Sequence, residues 1–137
     1  MSVVVDTSAL LAYFDRGSDR HAAVEGLIEA ERAPLLVSPL VLAETDHLVR
    51  SRFGDRAADE TLRELAGGAY DIAGFSAADL QAALRILDRY RDRRIGLTDA
   101  ALVALADRSD STTVFTLDRR DFEGLARTDG TPLTILP

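Results

Sequence analysis

Apolar residues fall along the chain in short β-branched runs separated by stretches of helical spacing, and polar or turn residues close each run. Val3, Val4 and Val5 form the first run, a buried strand whose last residue hands over to Asp6. A helix follows from Ser8 towards Phe14 and breaks at Gly17 and Ser18; a second spans His21 to Arg32, with Ala22, Leu27 and Ile28 in helical spacing, until Pro34 interrupts it. Leu35 to Val37 is the second strand. Ser38 before Pro39 is a helix start, the serine as cap and the proline where a missing N–H costs nothing, and the helix runs towards Arg52. Gly54 separates it from a partner over Asp55 to Leu65, a helical hairpin that Gly67 and Gly68 stop before a strand at Ala69 to Ile72. Ser76 caps the next helix, with Asp79 in the capping-box position and Leu80, Ala83, Leu84 and Leu87 as its apolar stripe; it ends in the charged stretch Asp88 to Arg94. After Gly96, Thr98 caps a helix through Arg108, Thr113 to Leu117 forms a strand ending at Asp118, and Leu133 to Leu136 forms the last strand.

Strands alternating with helices predict the α/β class, a three-layer α/β/α sandwich around a mostly parallel sheet, because each parallel connection needs a crossover. A chain of 137 residues, 47% of them apolar, suits one domain over residues 1–137. Cysteine is absent, so disulfides and thiolate metal sites are excluded and a cytosolic compartment is expected. Met1 to Asp6 has no basic leader pattern, and no apolar run approaches the roughly 20 residues of a membrane helix.

Open parallel sheets bind ligands beyond the carboxyl ends of their strands, where Asp6 and Asp118 both fall. Asp99 lies in the first turn of its helix, a place favourable to an anion. Glu44 shares a helix face with Leu40, Ala43, His47 and Leu48, which predicts a buried carboxylate in need of a partner. Each acid has a plain structural alternative. Asp6 and Asp118 would be turn residues, Asp99 part of a cap, and Glu44 one half of a buried ion pair or a solvent residue of misjudged phase. Convergence of four such acids on one sheet edge favours a site. Carboxylates without cysteine make a hard oxygen site suited to Mg²⁺ or Mn²⁺ over zinc, able to acidify a water for attack on a phosphodiester. The hydroxyls of Ser8 and Thr98 either position water or phosphate there or serve as helix caps.

Together VVVDTSALLAYFD at the start, SPLVLAETDHLV around Glu44, RIGLTDAALVALA around Asp99 and TVFTLDRRDF around Asp118 resemble the PIN-domain ribonucleases, and among them the VapC toxins of bacterial VapBC operons. The resemblance covers nearly the whole chain and implies a PIN-like fold. It makes Asp6, Glu44, Asp99 and Asp118 the metal-binding acids, with Thr7 or Ser8 and Thr98 as supporting hydroxyls. It also implies cleavage of tRNA or rRNA with Mg²⁺ or Mn²⁺, homodimerisation, and inhibition by a VapB-like antitoxin. Asp121 matches a further acid of some members, although a solvated charge or a partner for Arg119 or Arg120 is the simpler assignment. His47 is assigned to helix packing and His21 to the surface.

A net charge of −7 opposes a broad basic surface, yet acids gathered in one metal pocket would leave the rim free for cations. All sixteen basic residues are arginine, which suits phosphate or an acidic partner and equally reflects coding bias. Arg119 and Arg120, beside Asp118, are the phosphate candidates; Arg89, Arg91, Arg93 and Arg94 either grip RNA or form a solvated helix end. The aromatic residues suit core or interface positions. A phosphoacceptor receiver domain is excluded by the lack of lysine and of an acidic pair after Val5. A nuclease of RNA processing and a non-catalytic binding module remain as alternatives.

Overall fold

A computed structural model describes residues 1–137. Five strands, β1 (Val3–Val5), β2 (Leu35–Val37), β3 (Tyr70–Ile72), β4 (Thr113–Phe115) and β5 (Thr134–Leu136), form one sheet in the order β3-β2-β1-β4-β5. Every neighbouring pair is parallel. The helices are α1 (Thr7–Phe14), α2 (His21–Ala30), α3 (Pro39–Phe53), α4 (Asp55–Ala66), α5 (Ala77–Arg89), α6 (Leu97–Arg108) and α7 (Arg119–Phe122), with a 3₁₀ turn at Arg91–Arg93. Connections β1 to β2 and β2 to β3 step one way along the sheet, and β3 to β4 crosses back over it. Right-handed crossovers therefore place α1 to α4 on one face and α5 with α6 on the other, the three layers expected. The direction changes between β1 and β4, so their carboxyl ends flank the topological switch point.

Burial explains the short strands: Val3, Val4 and Val5 are all buried because β1 is central and covered on both faces. Beneath it α6 is buried continuously from Ala100 to Ala106. Four of those residues are alanine, and their small side chains let the helix lie against β1 and α5 at once. At the start of α3 the Ser38 hydroxyl accepts from the Leu40 N–H at 3.2 Å, with Pro39 at the first position. The capping box at α5 is complete, Ser76 N–H donating to Asp79 at 2.7 Å and Asp79 N–H to the Ser76 hydroxyl at 3.3 Å. Gly54, at φ +90°, makes the turn between α3 and α4.

Several elements differ from the sequence prediction. Helix α2 stops at Ala30 because the Glu31 carboxylate accepts the N–H groups of Arg32 and Ala33, at 2.9 and 2.8 Å, in competition with the helix. Thr98 is not a cap; Gly96 holds the cap position of α6 and Thr98 lies inside its first turn. The stripe of α5 is rotated: Ala83 and Ile86 are buried, whereas Leu80 and Leu84 stay 40% and 52% exposed. No helix is long and apolar enough to cross a membrane.

The buried alanine spine of α6 leaves no room for growth. Ala106→Leu should cost about 1–3 kcal/mol through overpacking, read from a urea unfolding curve with unchanged slope.

Candidate metal centre

Strand register brings the first acid into place. Val5 pairs with Phe115, so the next residues of β1 and β4, Asp6 and Thr116, emerge side by side at the switch point. The Asp6 N–H donates to the Phe115 carbonyl at 2.9 Å, and the buried Thr116 hydroxyl donates to the Asp6 carboxylate at 2.7 Å. The Ser8 hydroxyl lies 3.0 Å from the Thr116 hydroxyl and 3.3 Å from the same carboxylate oxygen, and it accepts the Leu117 N–H at 2.9 Å. Ser8 thus joins α1 to the end of β4. Asp118 does not follow the strand directly, because β4 ends at Phe115. The Asp118 N–H donates to the Thr116 hydroxyl at 3.0 Å, a hydroxyl-closed turn that ends the strand and sets Asp118 at the head of α7. Thr116 therefore orients one acid through its side chain and another through its turn. Only strand register could have revealed it, since its motif position shows no more than a polar residue in a β-branched run.

Asp99 comes from the first turn of α6. Glu44 is exposed, contrary to the buried face the sequence predicted. The buried line of α3 runs through Val41, Thr45 and Val49, one residue out of phase with the Leu40, Ala43 and His47 face. Apolar residues at 40, 41, 42, 48 and 49 leave the phase ambiguous, and contact with α1 and α4 decides it. Exposure does not remove Glu44 from the cluster, for its charge raises the proton affinity of Asp6, Asp99 and Asp118. His47 is exposed too and has no packing role. Neither is His21 a plain surface residue: its ring bridges the Ala12 carbonyl at 2.9 Å and Glu25 at 3.0 Å.

Asp121, on α7, also belongs to the group. It is exposed, as a solvated charge would be, and pairs with neither Arg119 nor Arg120, yet its charge acts on Asp99 and Asp118. Burial, then Asp6, Asp121, Glu44 and Asp118, push the Asp99 carboxyl up to about 7. Burial also raises Asp6, against the Thr116 hydroxyl and the Thr7 N–H, and the charges of Asp118 and Glu44 add to it. Asp118 is raised by burial, then by Asp121 and Glu44, with Ser8 opposing. No ion pair reaches any of these five acids.

No three carboxylates stand close enough to form a ready-made chelate, so ligation requires side-chain rotation. The donor set nevertheless fits a hard divalent cation: carboxylate oxygens on four elements, no compensating arginine, and the buried Thr7 hydroxyl beside Asp6 without a partner. The two principal grooves of the molecule lie elsewhere and include none of the five acids.

Two predicted phosphate contacts separate here. Arg119 donates to the carbonyls of Ile135 and Pro137, at 3.0 and 2.7 Å, and lies 3.7 Å from Glu123; one guanidinium nitrogen ties down the end of β5 while half of the side chain stays exposed. Arg120 is exposed and makes no ion pair, two residues after Asp118 in the chain.

Residues 3–128 match the PIN domain family model. The chain belongs to the PIN-domain family. Ribonuclease VapC26 of Mycobacterium tuberculosis is 49% identical over 98% of this chain and 100% of its own length, which sets this PIN domain within the VapC group. Among solved structures, M. tuberculosis VapC20, a sarcin–ricin loop cleaving toxin, superposes with a TM-score of 0.83 at 24% identity, covering 93% of this chain and 98% of VapC20. VapBC2 from Rickettsia felis, bound to a fragment of its promoter DNA, superposes at 0.74 with 17% identity and covers both chains completely. These likenesses confirm the PIN fold.

The raised Asp99 carboxyl gives a signed pH effect. Its proton affinity is higher folded, near 7, than unfolded, near 3.8, so the metal-free PIN domain loses stability as pH rises between those values. Asp99→Asn should therefore stabilise the metal-free protein at pH 8 by about 1–2 kcal/mol, allowing for screening, and by much less at pH 4. Thermal melts in EDTA at both pH values measure it; equal melting shifts at the two would contradict the assignment.

Proposed function

We propose that this PIN-domain protein is a Mg²⁺- or Mn²⁺-dependent endoribonuclease, the toxin of a type II toxin–antitoxin pair that cuts tRNA or rRNA in the cytosol. The observation that carries the proposal is a set of five acids around the β1–β4 switch point with no protein cation among them. Half identity to a ribonuclease along the whole chain supports the choice of RNA.

Asp6, Glu44, Asp99 and Asp118 would hold the cation, with Asp121 beside them. A cation held there would supply an acidified water and neutralise charge developing on the phosphate and the leaving oxygen. The chain's own groups do the rest. Thr116 and Ser8 fix the Asp6 carboxylate, so one ligand direction is set before any ion arrives. The Asp99 carboxyl, raised to about 7, is poised to give up its proton near neutral pH. Thr98, in the first turn of α6 beside Asp99, presents a hydroxyl to water or phosphate. Arg120 offers its guanidinium to the phosphate on the rim. No protein nucleophile is required.

The partner we assign is a VapB-like antitoxin, following the toxin–antitoxin assemblies among the structural relatives. A groove of about 430 Å³ bordered by α1, α2, α3 and α4, with Leu11, Phe14, Val49 and Phe53 amid both acids, such as Glu25 and Glu60, and the arginines Arg16 and Arg52, suits an amphipathic segment. The exposed Leu80 and Leu84 of α5 give a homodimer an apolar face to pair through.

Purified protein incubated with total RNA tests the activity. Cleavage should require Mg²⁺ or Mn²⁺, stop with EDTA, and fall at least about a hundredfold in Asp6→Ala, whose circular dichroism stays native. Cutting that persists in EDTA would overturn the proposal.

A further inference from the structure

The linker between α5 and α6 braces the segment that carries Asp118 and Asp121. The Arg93 guanidinium, at the end of the 3₁₀ turn, donates to the carbonyls of Arg120 at 2.8 Å and Asp121 at 3.4 Å, and to that of Glu123. Three carbonyls of one short helical end thus converge on one planar fork, the geometry in which arginine exceeds a point-charge ammonium. Gly124 is shaped to admit it: φ is +81°, and a β-carbon there would stand 2.9 Å from the nearer Arg93 nitrogen. A second brace lies alongside, the Tyr90 hydroxyl accepting the Ala126 N–H at 3.0 Å. Arg93 therefore spends three hydrogen bonds on backbone carbonyls and does not belong to a merely solvated helix end. It lies six residues before Asp99 in the chain, so one short linker leads into the α6 acid and also grips the α7 turn that bears two others.

We propose that Arg93 is a positioning residue of the metal centre: through the backbone of residues 120–123 it sets Asp118 and Asp121 relative to Asp99, with Gly124 as the socket that lets it do so. The inference rests on the metal-dependent function proposed above. Its action is geometric, since the guanidinium meets backbone carbonyls and not the acids themselves.

The test is titration of Mn²⁺ alone into the full-length protein by calorimetry, with thermal melts as a control for folding. Arg93→Ala should weaken Mn²⁺ binding by about tenfold, the low end of the loss seen when outer ligand supports are removed, while the metal-free melting temperature stays close to wild type because Arg93 is exposed. Arg93→Lys, which keeps the charge without the fork, should not restore affinity. Gly124→Ala, which displaces the guanidinium, should give the same loss, and the double variant should be no worse than either single one. In RNA cleavage the Arg93 variants should lose kcat at limiting Mn²⁺ with little change in KM. Mn²⁺ affinity within twofold of wild type in Arg93→Ala would overturn the proposal, as would a defect confined to KM for RNA, which would make Arg93 a phosphate contact. Failure of the wild-type protein to bind Mn²⁺ would instead overturn the metal-dependent function.

Discussion

Carboxylates forced together without a counter-charge are the constraint around which this molecule is organised. Asp6 is buried at the end of the central strand, and Asp99, in the first turn of the most buried helix of the fold, feels its charge. Isolated charges there would be expelled or protonated, because desolvation and mutual repulsion act in the same direction. Hydroxyls offset part of that cost at Asp6 through Thr116, and the proton held by Asp99 offsets part of the remainder. Neither removes the strain. Under the proposed function, a divalent cation would fill the field these acids create.

The sheet topology makes such crowding possible. Reversal of strand order between β1 and β4 opens the crevice, and three-residue strands bring the acid-bearing ends close to the helix starts. Stability elsewhere compensates: α6 presents seven consecutive buried residues, and Arg127 clamps the loop after α7 through Asp107, Asp110 and Asp129. Strain at the acids and close packing behind them are two parts of one design, in which function draws on stability supplied by the core.

Much of this was legible in the chain. The β-branched runs before Asp6 and Asp118 are sharply bounded, so the parallel sheet and the site edge could be inferred without contacts, although β4 stops at Phe115, short of Asp118. Glu44 was placed at the site by an argument from burial that the structure reverses, because α3 carries apolar residues on two faces and periodicity alone could not choose between them. Thr116 went unseen, since its role depends on register with Asp6 across two strands far apart in sequence. Arg119 was read as a phosphate contact and Arg93 as either an RNA grip or a solvated helix end; each also donates to backbone carbonyls, and sequence patterns carry no record of where carbonyls end up. Asp121 is the surface charge it looked like, but its short helix, α7, was not predicted, so its influence on Asp99 and Asp118 was not legible.

The central claim is that a divalent cation takes the place of protons at this cluster, and proton counting during calorimetric titration tests it most directly. Mn²⁺ is titrated into metal-free wild-type protein at pH 6 and pH 8, each in two buffers of different ionisation enthalpy. With the Asp99 carboxyl raised to about 7, binding should release about one proton per chain at pH 6 and far less at pH 8. Binding with no proton release at pH 6 would contradict the account.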